Sequence, residues 1–325
     1  MALRRADKPK VLVIFGATGV GKTRLIEQLF AERFNLSVEL ISADALQIYR
    51  QLDIGTAKPP ARLLARIPHH LIDICDYTTP FSVGDFCKRS DRIVSDILER
   101  GKLPLITGGC AYYLKSWLLG MPKTPPTDIG LRRQIIKRWK DKSNQTVRNE
   151  LHRLDPISAS RIEVGDRYRL LRALEVYEQS GRPLSSFVSS NTTRDDYQIL
   201  LIGLRRDRSE LCRFIDSRVD EMLRTGLENE IRRLIKDGAH SENPGMKGIG
   251  YREWFGPNGS ILESKDAKKL IARNTRRYAK RQNTFFASIP KVIWFELHGN
   301  GDCPPRLMET LRRFLCAPAL EACLT

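Results

Sequence analysis

No stretch of about eighteen apolar residues occurs in the 325-residue chain, which excludes a hydrophobic membrane-spanning helix. The opening MALRRADKPK lacks the apolar segment of a secretory signal, so a cytoplasmic protein with no membrane partner is expected. Cysteine is sparse: seven residues, at 75, 87, 110, 212, 303, 316 and 323, with no C-x-x-C pair. That pattern suggests neither a disulfide framework nor a zinc knuckle and fits a reducing compartment. Internal repeats and low-complexity tracts are missing as well. Acidic residues are in deficit, 38 against 55 lysines and arginines, and the formal charge is +17. Such a field draws polyanions and releases their counterions on contact, which puts nucleic acid first among partners on charge alone.

What is present is ample apolar sequence, 41% of residues, patterned in two textures. Over the first 118 residues strands and helices alternate. Strands are expected at 10–15, 38–42 (VELIS) and 103–107 (LPLIT), with helices at about 22–34 and 84–100. That order predicts an α/β fold, a parallel sheet with helices on both faces. GMPKTPPTD then breaks any element, and charged helical sequence follows, including LRRQIIKRWKDK and RYRLLRALEVYEQSG. Strand texture returns in YQILLIGL (197–204) and KVIWFEL (291–297), with a long helix between them. The expected organisation is a discontinuous core, 1–119 and 197–325, interrupted by a mainly helical insertion at 120–196.

Residues 16–23 read GATGVGKT: Gly16, Ala17, Thr18, Gly19, Val20, Gly21, Lys22 and Thr23. They match G-x-x-x-x-G-K-[ST], the phosphate-binding P-loop. Its glycines let backbone N–H groups close around phosphate oxygens, its Lys neutralises charge, and its Thr hydroxyl ligates Mg²⁺. A strand before and a helix after are the required context. ATP is the obvious ligand, but an ATPase of this class offers a second acid at the end of a strand. Here that strand ends LPLITGGC, without Asp or Glu. The acid lies elsewhere, at Asp44 in ISADALQIY, where it is either a helix cap or a catalytic carboxylate above the sheet edge.

GATGVGKT, ISADALQIYRQLDIGTAKP, PHHLID, ITGGCAYYLK, DRYRLLRALEVYEQSGRPLS, RVDEMLRTGLENEI, GIGYREW and TRRYAKRQNTFF occur in that order. Together they resemble the tRNA dimethylallyltransferases (tRNA isopentenyltransferases) of bacterial type, from about residue 10 to residue 287. The resemblance implies transfer of a dimethylallyl group from dimethylallyl diphosphate to N6 of the adenine beside the 3′ end of the anticodon. The implied tRNAs read U-initial codons, the implied cofactor is Mg²⁺, held at Thr23, and the second product is diphosphate. The P-loop would then hold an isoprenoid diphosphate, which needs no strand-end acid to activate a water. A monomer is expected.

Adenine's exocyclic amine is a poor nucleophile, so a base must take its proton as the new bond forms; Asp44 matches the family's base. Lys22, Thr23 and the loop backbone would stabilise the leaving diphosphate, and Thr18 would help position the reacting ends. Arg218 is the candidate for a guanidinium clamp, with a surface pair to Asp220 or Glu221 as its alternative. Where most of the family has Thr after TGG, this chain has Cys110, a weaker hydrogen-bond donor, and the following GLY becomes AYY at 111–113.

For the tRNA, Asp44, Ala45, Leu46 and Gln47 match the family's segment at an extruded target base, with Gln47 able to read an adenine edge or be merely solvated. Two further matched stretches are Tyr168, Arg169, Leu170, Leu171 and Arg172, and Lys247, Gly248, Ile249, Gly250, Tyr251 and Arg252. Leu170, Leu171 and Leu174 also fit the core face of a helix. KKLIARNTRRYAKRQ (268–282) packs Lys268, Lys269, Arg273, Arg276, Arg277, Lys280 and Arg281 into about four helical turns without one acid, which favours phosphate contact. With Arg132, Arg133, Lys137, Arg138 and Lys140 it would let two lobes grip the anticodon stem-loop. His69 and His70 are expected to be structural or to line the isoprenoid pocket, since neighbours on an extended segment point opposite ways. Two rivals stay open: an adenylate isopentenyltransferase or nucleotide kinase acting on a free nucleotide, and a non-catalytic RNA-binding ATPase module.

Overall fold

The computed structural model describes residues 8–34, 36–187, 192–299 and 301–315; the first seven residues, part of the stretch considered for a leader, lie outside it. The strands are β1 (Lys10–Gly16), β2 (Val38–Ser42), β3 (His69–His70), β4 (Leu103–Gly108), β5 (Gln198–Arg205) and β6 (Ile293–Glu296). The helices are α1 (Lys22–Ile26), α2 (Ala61–Arg66), α3 (Val83–Glu99), α4 (Ala111–Leu119), α5 (Ile129–Trp139), α6 (Asn144–Leu154), α7 (Pro156–Arg161), α8 (Arg167–Ser180), α9 (Arg208–Arg224), α10 (Leu227–Lys236), α11 (Ser264–Phe286) and α12 (Pro305–Leu315). They form two compact units, one made of the residues up to Leu118 and from Arg194 onward, the other of Leu119–Thr193.

In the first unit all six strands are parallel, in the order β3-β2-β4-β1-β5-β6, as the strand–helix alternation predicts. Central β1, KVLVIFG, is buried at every position, because helices on both faces of a parallel sheet leave no polar side for it. Since β2 and β5 lie on opposite sides of β1, the crossovers diverge there, and a crevice opens beyond the strand ends. The ends of β2, β4 and β1 therefore deliver three loops to one place.

Local chemistry sets the helix ends. Ser82 and Asp85 form a reciprocal capping box at the start of α3, which buries Phe86, Ser90, Val94 and Ile97 at helical spacing. The helix expected over 22–34 instead changes character: α1 stops at Ile26 and π-helical turns run Glu27–Arg33. Those wider turns close on Phe34, whose N–H donates to the Leu29 carbonyl at 2.8 Å and whose ring lies 6.0 Å from that of Phe30. Tertiary packing, not periodicity, selects them.

In the second unit each of α5, α6, α7 and α8 starts on a capping carboxylate or hydroxyl, Asp128, Ser143, Asp155 and Asp166 respectively. Such caps contribute about 1 kcal/mol apiece. Ile135, Val147, Leu151, Leu170, Leu171 and Leu174 form its core. The side chains of Leu170 and Leu171 are thus enclosed and unavailable to an RNA, contrary to their place in the expected tRNA set. Arg172 is engaged within the unit: it pairs with the fully buried Glu175 and donates to the Pro125 carbonyl at 2.6 Å. Arg132 shares Glu175 at 2.9 Å, so two of the unit's arginines neutralise an interior acid. Arg169 and Tyr168 remain on the surface, Arg169 beside Asp166 at 2.8 Å.

Candidate active site

The loop between β1 and α1 needs its glycines. Gly19 and Gly21 have φ of +79° and +110°, and a Cβ on Gly16 would lie 2.7 Å from the Leu204 carbonyl oxygen. Because α1 begins at Lys22, its first N–H groups have no intrahelical acceptor and face the loop. Lys22 folds back to donate from Nζ to the carbonyls of Gly16 (2.9 Å) and Ala17 (3.0 Å). Burial, then the nearby Arg218 charge, pulls its ammonium down to about 8, against an upward pull from Asp44. Arg218, from α9, donates to Thr18 Oγ1 at 3.4 Å; burial lowers it as well, again opposed by Asp44. The alternative surface pairing of Arg218 is excluded, since Glu221 is engaged by Arg224 and Asp220 by Lys268.

Asp44 follows the end of β2. Its Oδ1 accepts the N–H groups of Leu46 (2.9 Å) and Gln47 (3.3 Å), so it caps this turn and lines the cavity at once. The two roles inferred for it are compatible, because those bonds use one oxygen and fix the carboxylate plane for the other. Cys110, in the turn after β4, also lines the cavity; its N–H donates to the Ala43 carbonyl at 3.0 Å, and burial pushes its thiol up to about 12. Tyr278, from α11, is likewise pushed up by burial, then by Cys110 and Asp44. Both side chains are neutral at ordinary pH.

These groups meet in one cavity of about 690 Å³ within the first unit. Lys22, Arg218 and five further cationic side chains line it with a single carboxylate, Asp44, and Ile26, Leu40, Leu63, Ile215 and Met222 form an apolar wall. Thr107 occupies the end of β4, and its buried hydroxyl has no partner there. An arrangement rich in positive charge that resists its own ionisation suits a polyanion with an apolar appendage.

Of the other expected residues, Thr18, Gly19, Gly21, Thr23, Ala45, Leu46, Lys247, Gly248, Ile249, Gly250, Arg252 and Arg281 line the cavity, while Ala17 and Val20 are buried behind the loop. His69 faces the cavity and His70 turns away to Glu39 at 2.7 Å. Two expectations change. Gln47 lines the cavity, but its Nε2 points at the carbonyls of Thr56 (3.4 Å) and Ala57 (3.3 Å) and its Oε1 accepts from Ser42 (3.1 Å), so its amide is not offered to a base. Tyr251 is fully enclosed, donating to Glu230 at 2.6 Å, so its ring cannot stack on RNA. Arg276, in the cationic helix, is paired with Asp216.

Two buried polar residues that tie the cavity loops together escaped sequence reasoning. Buried Glu230 accepts the N–H groups of Asp53 (3.1 Å), Ile54 (2.8 Å) and Gly55 (3.2 Å) and fixes the loop carrying cavity residues Gly55, Thr56 and Ala57. Buried Gln282 accepts from Thr18 N–H and donates to the Gly109 carbonyl. Each is a polar residue inside a buried helical stripe, Leu227, Glu230, Ile231, Leu234 and Ala279, Gln282, Phe286, and that misplaced polarity is the signal that could have found it.

Fold and site together define an α/β protein whose glycine-rich loop after β1 shares a cavity with a carboxylate just past β2, two strands away, a layout suited to group transfer from a phosphorylated donor. Comparison with known proteins narrows the class. The family model described as IPP transferase matches residues 47–289, and the chain belongs to that family. It is 42% identical over 297 residues to tRNA dimethylallyltransferase 1 of Citrifermentans bemidjiense, covering 91% of this chain and 95% of that one. A tRNA dimethylallyltransferase of Geobacter sulfurreducens is 35% identical, with 93% and 96% covered. Among solved structures, the tRNA isopentenylpyrophosphate transferase of Bacillus halodurans superposes with a TM-score of 0.67 at 33% identity, covering 95% of this chain and 97% of that chain. A eukaryotic dimethylallyltransferase acting on tRNA superposes with a TM-score of 0.76 at 29% identity, over 89% and 74% of the two chains.

Proposed function

We propose that this protein transfers the dimethylallyl group of dimethylallyl diphosphate to N6 of the adenine beside the anticodon's 3′ end in tRNAs reading U-initial codons. The observation that carries this is the pairing of Lys22 and Arg218 opposite Asp44 in one cavity, with Thr107 rather than an acid at the end of β4. The donor's C–O bond breaks, its electron pair leaves with diphosphate, the allylic carbon bonds to N6, and the N6 proton passes to Asp44. Lys22, Arg218 and the loop N–H groups meet charge as it develops on the leaving group. The apolar wall around Leu40 and Leu63 suits the five-carbon chain and sheds water from it.

Among the described residues no cluster of three His, Cys, Asp or Glu could hold a metal. A divalent ion here would rest on Thr23, which lines the cavity, and on the donor's own phosphate oxygens, a donor set that fits Mg²⁺. Bound there, Mg²⁺ would neutralise part of the diphosphate charge. The polynucleotide would meet exposed Arg273, Arg277, Lys280 and Arg281 on α11, with the helical unit Leu119–Thr193 engaging the anticodon stem-loop. Among the described residues no helix is long and apolar enough to cross a membrane.

The test is product analysis after mixing the protein with dimethylallyl diphosphate and either tRNA or AMP. N6-dimethylallyladenosine in digested tRNA is the expected result; prenylation of AMP alone would show a free-nucleotide enzyme instead.

A further inference from the structure

Gln282 is 2% exposed, yet it belongs to α11, whose outer face carries Arg273, Arg277 and Lys280. Both ends of its amide are used. Oε1 accepts the Thr18 N–H at 2.9 Å, inside the phosphate loop. Nε2 donates to the Gly109 carbonyl at 2.6 Å, in the turn between β4 and α4. That turn is tied in its own right to the Asp44 strand end, since Cys110 N–H donates to the Ala43 carbonyl. One side chain therefore spans the loop that faces the leaving group and the turn that backs the base.

Two details show that the bridge is specific. The Thr18 N–H is committed to Gln282 and the Val20 N–H closes on the Ala17 carbonyl at 3.2 Å, which leaves the other N–H groups of the loop for an anion. At position 109 a Cβ would lie 2.7 Å from the Gln282 Nε2, so only glycine leaves room for the amide. No other amino-acid amide does this: Asn is too short, and an apolar side chain would strand a buried donor and acceptor.

We propose that Gln282 is a positioning residue for prenyl transfer, setting the separation of the diphosphate loop from the Asp44-bearing turn. It rests on the prenyl-transfer reading above. A displacement of about 1 Å between such elements costs on the order of a hundredfold in rate. Loss of the bridge should therefore weaken donor binding and turnover and leave the outer, cationic face of α11 untouched.

The test measures inorganic pyrophosphate binding by calorimetry, tRNA binding by filter retention, and steady-state transfer, for folded variants verified by thermal melting. Gln282→Leu should weaken pyrophosphate about tenfold or more and lower kcat on the order of a hundredfold, with tRNA affinity changed by less than about twofold. Gly109→Ala pushes the amide away without altering it and should reproduce that pattern, the double variant being no worse than either single one. Gln282→Glu separates positioning from packing. Its protonated acid supplies one donor and one acceptor, whereas its carboxylate sets an oxygen against the Gly109 carbonyl and a charge beside the diphosphate. Its activity relative to the unaltered protein should therefore fall as pH rises through that acid's pKa. The ratio is taken because both proteins share the other charged and titratable groups around the site, Lys22, Asp44, Arg218, Tyr278, Cys110 and Arg281, so it reads what the new carboxyl adds. Normal pyrophosphate binding and kcat in Gln282→Leu and Gly109→Ala, or a flat ratio for Gln282→Glu, overturns the inference. If Gln282→Leu does not fold, the Gln282→Glu ratio within one folded protein still decides. Failure of the unaltered protein to bind pyrophosphate would instead defeat the functional reading.

Discussion

Lys22 and Arg218 are held where burial disfavours their charges, and nearby Asp44 offsets part of that cost. A diphosphate would relieve both. Burial pulls the Lys22 ammonium down to about 8 from its ordinary 10.5, so above about pH 8 it is increasingly neutral. Binding a polyanion then requires taking up a proton. Affinity for dimethylallyl diphosphate should be level from about pH 7 to 8 and fall by up to about tenfold per pH unit above that, by calorimetry. Lys22→Arg, which stays charged, should flatten the decline. Asp44 carries two roles that one pair of variants can separate. Asp44→Asn keeps an oxygen for the Leu46 and Gln47 N–H groups, so turnover should drop roughly a hundredfold or more with tRNA affinity and melting temperature intact. Asp44→Ala should add a stability loss of about 1 kcal/mol from the lost cap. At this scale motif spacing alone was enough to single out the loop, Asp44 and Arg218, which the structure brings to one cavity. It could not show that Gln47, Tyr251 and Arg172 are engaged within the protein, because their partners, Thr56, Glu230 and Glu175, are distant in sequence or set by which face is buried.

At the scale of elements, α11 shows how a charge run divides. Its sequence between 268 and 282 holds no acid, but α9 packs beside it and supplies Asp216 to Arg276 and Asp220 to Lys268. Arg273, Arg277 and Lys280 stand on the exposed face at helical spacing, with no acidic partner among the described residues. Replacing Arg277 and Lys280 by Gln should weaken tRNA binding and reduce the slope of log affinity against log salt by about one per cation removed. The same change at Lys268 should do less, because its ammonium is already engaged by Asp220 and is less available to a phosphate. The sequence of a single helix shows how many charges it carries but not which are answered by a neighbour. The same limit hid Glu230 and Gln282, polar residues whose burial is legible only once their stripes are known to face the core.

For the whole molecule, the parallel sheet was legible because strand and helix periodicities alternate cleanly around β1, β2 and β4. Two-residue β3 and the π-helical turns after Ile26 were not, since the first is too short to show a period and the second depends on what Leu29 and Phe30 pack against. The charge of +17 attracts any polyanion and chooses none. Choice lies in the cavity, where the account requires an isoprenoid diphosphate in the place a nucleotide's phosphates would take. Competition calorimetry at saturating Mg²⁺, with dimethylallyl diphosphate against ATP and a parallel assay of phosphate release, tests this most directly. Tight donor binding that Lys22→Ala abolishes, without ATP turnover, is the predicted result; ATP bound in preference to the donor and hydrolysed would contradict it.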